Sequence, residues 1–228
     1  MVIFYHSFFI MTYHIITLFP DSFTSYLSES ILKRAIEDNK IRVKFYNPRD
    51  FTKGTSYADR RVDDKPYGGG PGMVIEALPV IKAIAKAKGK KRGVRIIWFT
   101  PSGKQFSTLD AKTFAEKCKD IIFICGRYEG VDARVKKAFK VIEVSVGPFV
   151  LTGGELPAMI LIDSISRQIN GVLGDHASLE ENRIASPDVY TRPDVVEYKG
   201  KKYRVPNVLL SGNHKLIDEW RKTQLDNK

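Results

Sequence analysis

Cysteine is almost absent from these 228 residues: Cys118 and Cys125 are the only two, with no histidine at metal-ligand spacing beside them. That argues against a disulfide framework and against a zinc site, and it fits a reducing cytosol, so a cytoplasmic location is expected. Long apolar runs are missing too. No stretch approaches the roughly 18 residues that a membrane helix needs, so no membrane partner is expected. The apolar opening Met1 to Ile10 is too short to span a bilayer, and it lacks a basic leader and a small-residue cleavage signal. Acidic charge is in the minority. Against 26 Asp and Glu stand 37 Lys and Arg, a formal net charge of +11, which favours a polyanionic partner such as nucleic acid. The run Lys82, Lys86, Lys88, Lys90, Lys91 and Arg92 reads separately, as a solvated helix face and its exit turn. With 43% hydrophobic and 28% charged residues the chain is globular rather than disordered.

What is present is an alternation of apolar runs and amphipathic stretches. Tyr13 to Leu18 reads as a first buried strand, followed by a helix capped by Ser28 or Ser30, and residues 41–46 alternate like a strand. Residues 47–72 are polar, glycine-rich and irregular, a long loop of the functional kind. Leu78, Val80, Ile81, Ile84 and Ala85 mark a helix. Strands at 94–99, 121–125 and 141–146 then alternate with helices at 108–118 and 132–140. Strands that are apolar throughout, separated by helices, imply an α/β fold with a parallel sheet covered on both faces. A long helix over 156–169 carries Pro157 in its first turn, where a missing N–H costs nothing. Composition shifts at Asp175, giving a linker over 175–189 and a small, mainly helical domain over 190–228 that ends in a helix from His214 to Thr223.

Two loops leave these strands with glycines at close spacing. One runs Cys125-Gly126-Arg127-Tyr128-Glu129-Gly130, the other Val146-Gly147-Pro148-Phe149-Val150-Leu151-Thr152-Gly153-Gly154-Glu155-Leu156-Pro157. Glycine at a strand end lets backbone approach a ligand, so the pair predicts a small-molecule cleft walled by main-chain groups. Gly68-Gly69-Gly70-Pro71-Gly72 lacks the Gly-Lys-Ser/Thr ending of a phosphate-binding loop.

With Leu18-Phe19-Pro20, Val62 through Met73, Gly171-Val172-Leu173-Gly174, Tyr190-Thr191-Arg192-Pro193 and Leu210-Ser211-Gly212-Asn213-His214, these loops form an ordered set. The set resembles the bacterial tRNA (guanine-N1)-methyltransferases of the TrmD type, in the SPOUT class, from about Met11 to about Arg221. The resemblance implies a methyltransferase domain over 11–174 with a deep trefoil knot near 95–160, and leaves residues 1–10 as an extension. It implies S-adenosylmethionine-dependent methylation of N1 of guanosine 37 in tRNA, by a homodimer that acts on no DNA, and leaves a need for Mg²⁺ open.

Residue by residue, it assigns cofactor contacts to Trp98, Thr100, Pro101 and Gly103, to Gly126, Arg127, Tyr128 and Glu129, and to Val146, Gly147, Phe149, Leu151, Gly153, Gly154 and Pro157. Asp63, Gly70, Arg192 and His214 fall to the RNA. Arg167 takes the place of the catalytic cation, although it also follows Asp163 by four residues, the spacing of a plain surface ion pair. The expected catalytic Asp is replaced by Asn182, whose amide cannot accept a proton usefully. Glu181, Glu180 or Asp188 would supply the carboxylate instead. A chain whose base is truly lost would be a non-catalytic RNA binder.

Overall fold

The computed structural model describes residues 10–54, 56, 59–173 and 188–226. The chain divides into two compact units, one ending at Leu173 and one beginning at Gly174. Most of the proposed extension 1–10 and of the linker 175–189 lies outside the described residues.

The first unit is built on a five-stranded sheet in the order β2-β1-β6-β5-β7, with every pairing parallel. Its strands are β1 (Met11–Ile16), β2 (Ile41–Tyr46), β5 (Arg95–Gln105), β6 (Asp120–Ile124) and β7 (Ile142–Ser145). Side chains alternate across a strand, so the contiguous apolar run of β6 feeds two cores at once. Ile121 and Phe123 join Tyr13, Ile15, Leu161 and Ile165 on one face, while Ile122 and Ile124 join Val80, Ile84 and Val135 on the other. The first face is covered by α2 (Ser30–Glu37), α4 (Thr108–Lys117) and α6 (Glu155–Ser166). The second is covered by α3 (Ala77–Lys88) and α5 (Arg134–Ala138). A short α1 (Thr24–Leu27) and a two-stranded ribbon of β3 (Asp63–Asp64) and β4 (Val74–Ile75) complete the unit. None of the helices among the described residues is long and apolar enough to cross a membrane.

Several expectations shift in detail. The cap of α2 is Glu29, without a side-chain bond, and Ser30 opens the helix with φ 51°. The helix expected over 132–140 shortens to Arg134–Ala138, because Asp132 turns back to bond the backbone and guanidinium of Arg134. Strand β5 continues past Phe99 to Gln105. The chain bulges over 100–103 and returns, so that both Phe99 and Lys104 face Val144. Gly103 makes the return possible: a Cβ there would lie 2.6 Å from the Val144 nitrogen.

In the second unit, β8 (Val195–Tyr198) and β9 (Lys201–Arg204) form an antiparallel hairpin, followed by α7 (Asn207–Leu210) and α8 (His214–Asp226). The hairpin was not expected from the sequence. Its turn residues Lys199 and Gly200 both take positive φ, 51° and 73°, the backbone of a tight hairpin turn.

Candidate active site

The loops leaving β5, β6 and β7 meet at the carboxyl ends of the strands, where open parallel sheets place their ligands. They enclose a cleft of about 310 Å³, in the size range of small-molecule sites. Its walls include Trp98 from β5 with Thr100 and Pro101 from its bulge, Gly126 through Glu129 from the β6 loop, Val146, Gly147, Phe149, Leu151, Gly153 and Gly154 from the β7 loop, and Pro157 from the first turn of α6. Fourteen of the fifteen residues expected to hold the cofactor are thus brought to one place. Gly103 is the fifteenth; it sits against the Glu143–Val144 backbone and supports the wall rather than lining it.

The two glycine loops are joined directly. Gly154 N–H donates to the Gly126 carbonyl at 2.9 Å, and Arg127 pairs with Gly153 as an antiparallel bridge. Gly154 has φ −83°, so conformation does not require a glycine there; space does. A Cβ would fall 2.5 Å from Cys125 Cα and 3.0 Å from Gly126 N. At Gly147 a Cβ would meet the Phe149 ring, which folds over it. Tyr128 is half exposed at φ 59°, a backbone strain of the kind that collects at functional sites.

A buried acid, Glu155, was missed by sequence reasoning. It opens α6 and is 3% exposed. Thr17 donates to its Oε1 at 2.7 Å, and Arg127 Nε lies 2.9 Å from its Oε2, close but poorly aligned for a hydrogen bond. The Arg127 guanidinium also sits 4.7 Å over the Phe19 ring. The Leu18-Phe19-Pro20 segment is therefore a brace for the cleft. An acid that opens a helix whose next seven residues are apolar is the signal that could have found it, since a carboxylate at a helix N-terminus is favoured by the dipole.

The glycine-rich loop is rooted beside this cleft. Glu129 N–H donates to the Met73 carbonyl at 3.0 Å and Ile75 N–H to the Gly130 carbonyl at 2.9 Å, while Asp63 pairs with Ile75 across the ribbon. Gly72 at φ 83° lies under Glu129, whose carboxylate a Cβ would strike at 2.6 Å. Gly70 is exposed with open space around it. Arg167 ends α6, its backbone N–H bonded to the Asp163 carbonyl at 3.1 Å, and its Nε is buried without a hydrogen-bond partner among the described residues. Asp188, Arg192 and His214 belong to the second unit and are exposed there. Glu180, Glu181 and Asn182 lie outside the described residues. No group of three His, Cys, Asp or Glu among the described residues could hold a metal ion.

Comparison with known proteins matches this geometry to one family. The family model of tRNA (guanine-1)-methyltransferase TrmD covers residues 11–228. A tRNA (guanine-N(1)-)-methyltransferase of Clostridioides difficile is 46% identical over 221 residues, 94% of this chain and 92% of the relative. One from Campylobacter jejuni subsp. doylei is 41% identical over 93% of this chain and 91% of the relative. The crystal structure of the tRNA (m1G37) methyltransferase of Aquifex aeolicus superposes with a TM-score of 0.76 at 36% identity, covering 96% of this chain and 91% of that one. The chain belongs to the TrmD family of tRNA (guanine-1)-methyltransferases.

Proposed function

We propose that this protein methylates N1 of guanosine 37 in tRNA, with S-adenosylmethionine bound in the cleft between the two glycine loops. The carrying observation is that cleft, closed by the Gly154–Gly126 hydrogen bond and lined by fourteen of the residues expected for the cofactor. The fit is one of shape: at Gly154 a Cβ would take the space that lets two backbones converge. Trp98, Pro101, Phe149 and Leu151 supply apolar walls for an adenine, and the main chain of the glycine turns supplies donors and acceptors for its edge. When bound, the cofactor would supply an activated methyl group.

The chain's own work is positioning, proton removal and charge support. N1 of guanine carries a proton and is a poor nucleophile until that proton leaves. A carboxylate from the 180–188 segment takes it, with Glu181 leading and Glu180 and Asp188 as the other candidates. Charge then moves toward O6, where the Arg167 guanidinium balances it. The buried, unpartnered Arg167 Nε supports this role, because such a group is costly unless a ligand meets it. Arg167→Ala is expected to slow single-turnover methylation by roughly 10²–10³-fold, as for loss of one oxyanion donor, with cofactor affinity unchanged. Transfer of labelled methyl to a guanosine-37 tRNA transcript, and none to the adenosine-37 transcript, tests the assignment. A folded protein that binds the transcript without methylating it would leave the non-catalytic RNA binder.

The same reading includes a trefoil knot near residues 95–160, a cytoplasmic location and a homodimer. The dimer is supported by apolar exposure beside the cleft. Leu156 (55% exposed) and Ile160 (46%) stand one turn apart on α6, and Phe149 and Val150 lie in the loop before it. Covering such a patch is the ordinary reason for one. Light scattering is expected to give twice the 25.8 kDa chain mass, and Ile160→Glu to give monomers without activity. An active monomer would refute the dimer.

A further inference from the structure

Helix α6 carries Asp163 and Arg167 four residues apart, where an aspartate and an arginine ordinarily pair on a helix surface. Here they do not. The Asp163 carboxylate instead accepts a short hydrogen bond from the Tyr26 hydroxyl on α1, and Arg167 Nε stays without a hydrogen-bond partner among the described residues. One residue before Arg167, Ser166 Oγ lies 2.9 Å from the hydroxyl of buried Tyr13, which fixes this turn of α6 against β1. Two tyrosines thus hold Asp163 and Ser166, two of the polar side chains that precede the arginine, while Arg167 Nε has no hydrogen-bond partner among the described residues.

We propose that Tyr26 is a positioning residue for methyl transfer: by holding Asp163 it keeps the Arg167 guanidinium uncompensated and available to the substrate base. The proposal rests on the reading of Arg167 as the cation that meets guanine O6. Were Asp163 released, its carboxylate would be the nearest anion on the same helix face. An Asp–Arg pair formed there would both weaken the field at O6 and turn the guanidinium along α6. Tyr26 is suited to the task at neutral pH. The bond to Asp163, helped by partial burial, pushes the phenol up to about 12, so it remains a donor. It is also 46% exposed, so deleting the hydroxyl leaves no buried void.

The test is a double-mutant cycle on the full chain, reading kcat, KM and cofactor affinity with a guanosine-37 transcript. Tyr26→Phe is expected to lower kcat roughly 10- to 100-fold, the worth of a hydrogen bond to a charged group, with cofactor affinity unchanged. Asp163→Asn should behave like the wild type. The double variant should return to within about twofold of Asp163→Asn, the limit of ordinary additivity, because no carboxylate remains to capture the arginine. A clamp that merely joined α1 to α6 would give no such rescue. A wild-type kcat in Tyr26→Phe, or a loss that persists in the double variant, overturns the proposal. Arg167→Ala separates the two levels. If that variant is inactive while Tyr26→Phe is normal, only the Tyr26 proposal falls; if it is fully active, the reading of Arg167 falls as well.

Discussion

Replacing Glu181 with Gln is expected to cut single-turnover methylation by about 10²–10⁴-fold, the usual worth of a positioned general base. S-adenosylmethionine affinity should not change. The swap keeps shape and polarity and removes only the capacity to take a proton, so the loss reports proton transfer rather than packing. Asn182→Ala should cost far less, since its amide is no base at neutral pH. If Asp188 holds the role instead, Asp188→Asn shows the large loss and Glu181→Gln does not; the same comparison applies to Glu180. Rates near wild type in all three variants would place the base outside this segment.

The second large effect is expected at Gly154. Its added Cβ in Gly154→Ala would meet Cys125 Cα at 2.5 Å and Gly126 N at 3.0 Å, both backbone and neither free to swing away. The two loops must part, and the hydrogen bond from Gly154 N–H to the Gly126 carbonyl lengthens or breaks. Calorimetry is expected to find S-adenosylmethionine binding weakened by more than about 100-fold, in line with overpacking penalties of one to a few kcal/mol compounded by a distorted wall. Gly147→Ala provides the milder case. Its obstacle is the half-exposed Phe149 ring, which can move aside, so a loss of roughly tenfold is expected. Wild-type affinity in a folded Gly154→Ala protein would put the cofactor elsewhere.

How much of this was legible beforehand follows from how each element signals itself. Strand β6 could be read directly, because Ile121 through Ile124 are apolar without alternation and only burial on both faces accounts for that. The paired glycine loops could be read because close backbone approach demands a missing Cβ, as Gly154 shows in its contacts with the Cys125 and Gly126 backbone. The hairpin of β8 and β9 could not. Nearly all its residues are exposed, so it has no apolar face and no period-two pattern to detect, and only the Lys199-Gly200 turn hints at it. The return of β5 was hidden as well, since Thr100-Pro101-Ser102-Gly103 carries the composition of a loop and pairing with β7 resumes only at Lys104.

Residue type and order alone carried the α/β class, the basic net charge, the position of the two glycine loops and the family to which the chain belongs. These are consequences of residue type and spacing along the chain. Only the tertiary structure decided which polar side chains meet. Glu155 is buried because Thr17 and Arg127, 138 residues upstream and 28 residues upstream, converge on it from β1 and the β6 loop. Asp163 leaves Arg167 alone because Tyr26, 137 residues away, reaches it first. Local spacing predicts the neighbours on one helix; it carries no information about the side chain that another element brings across to compete for them.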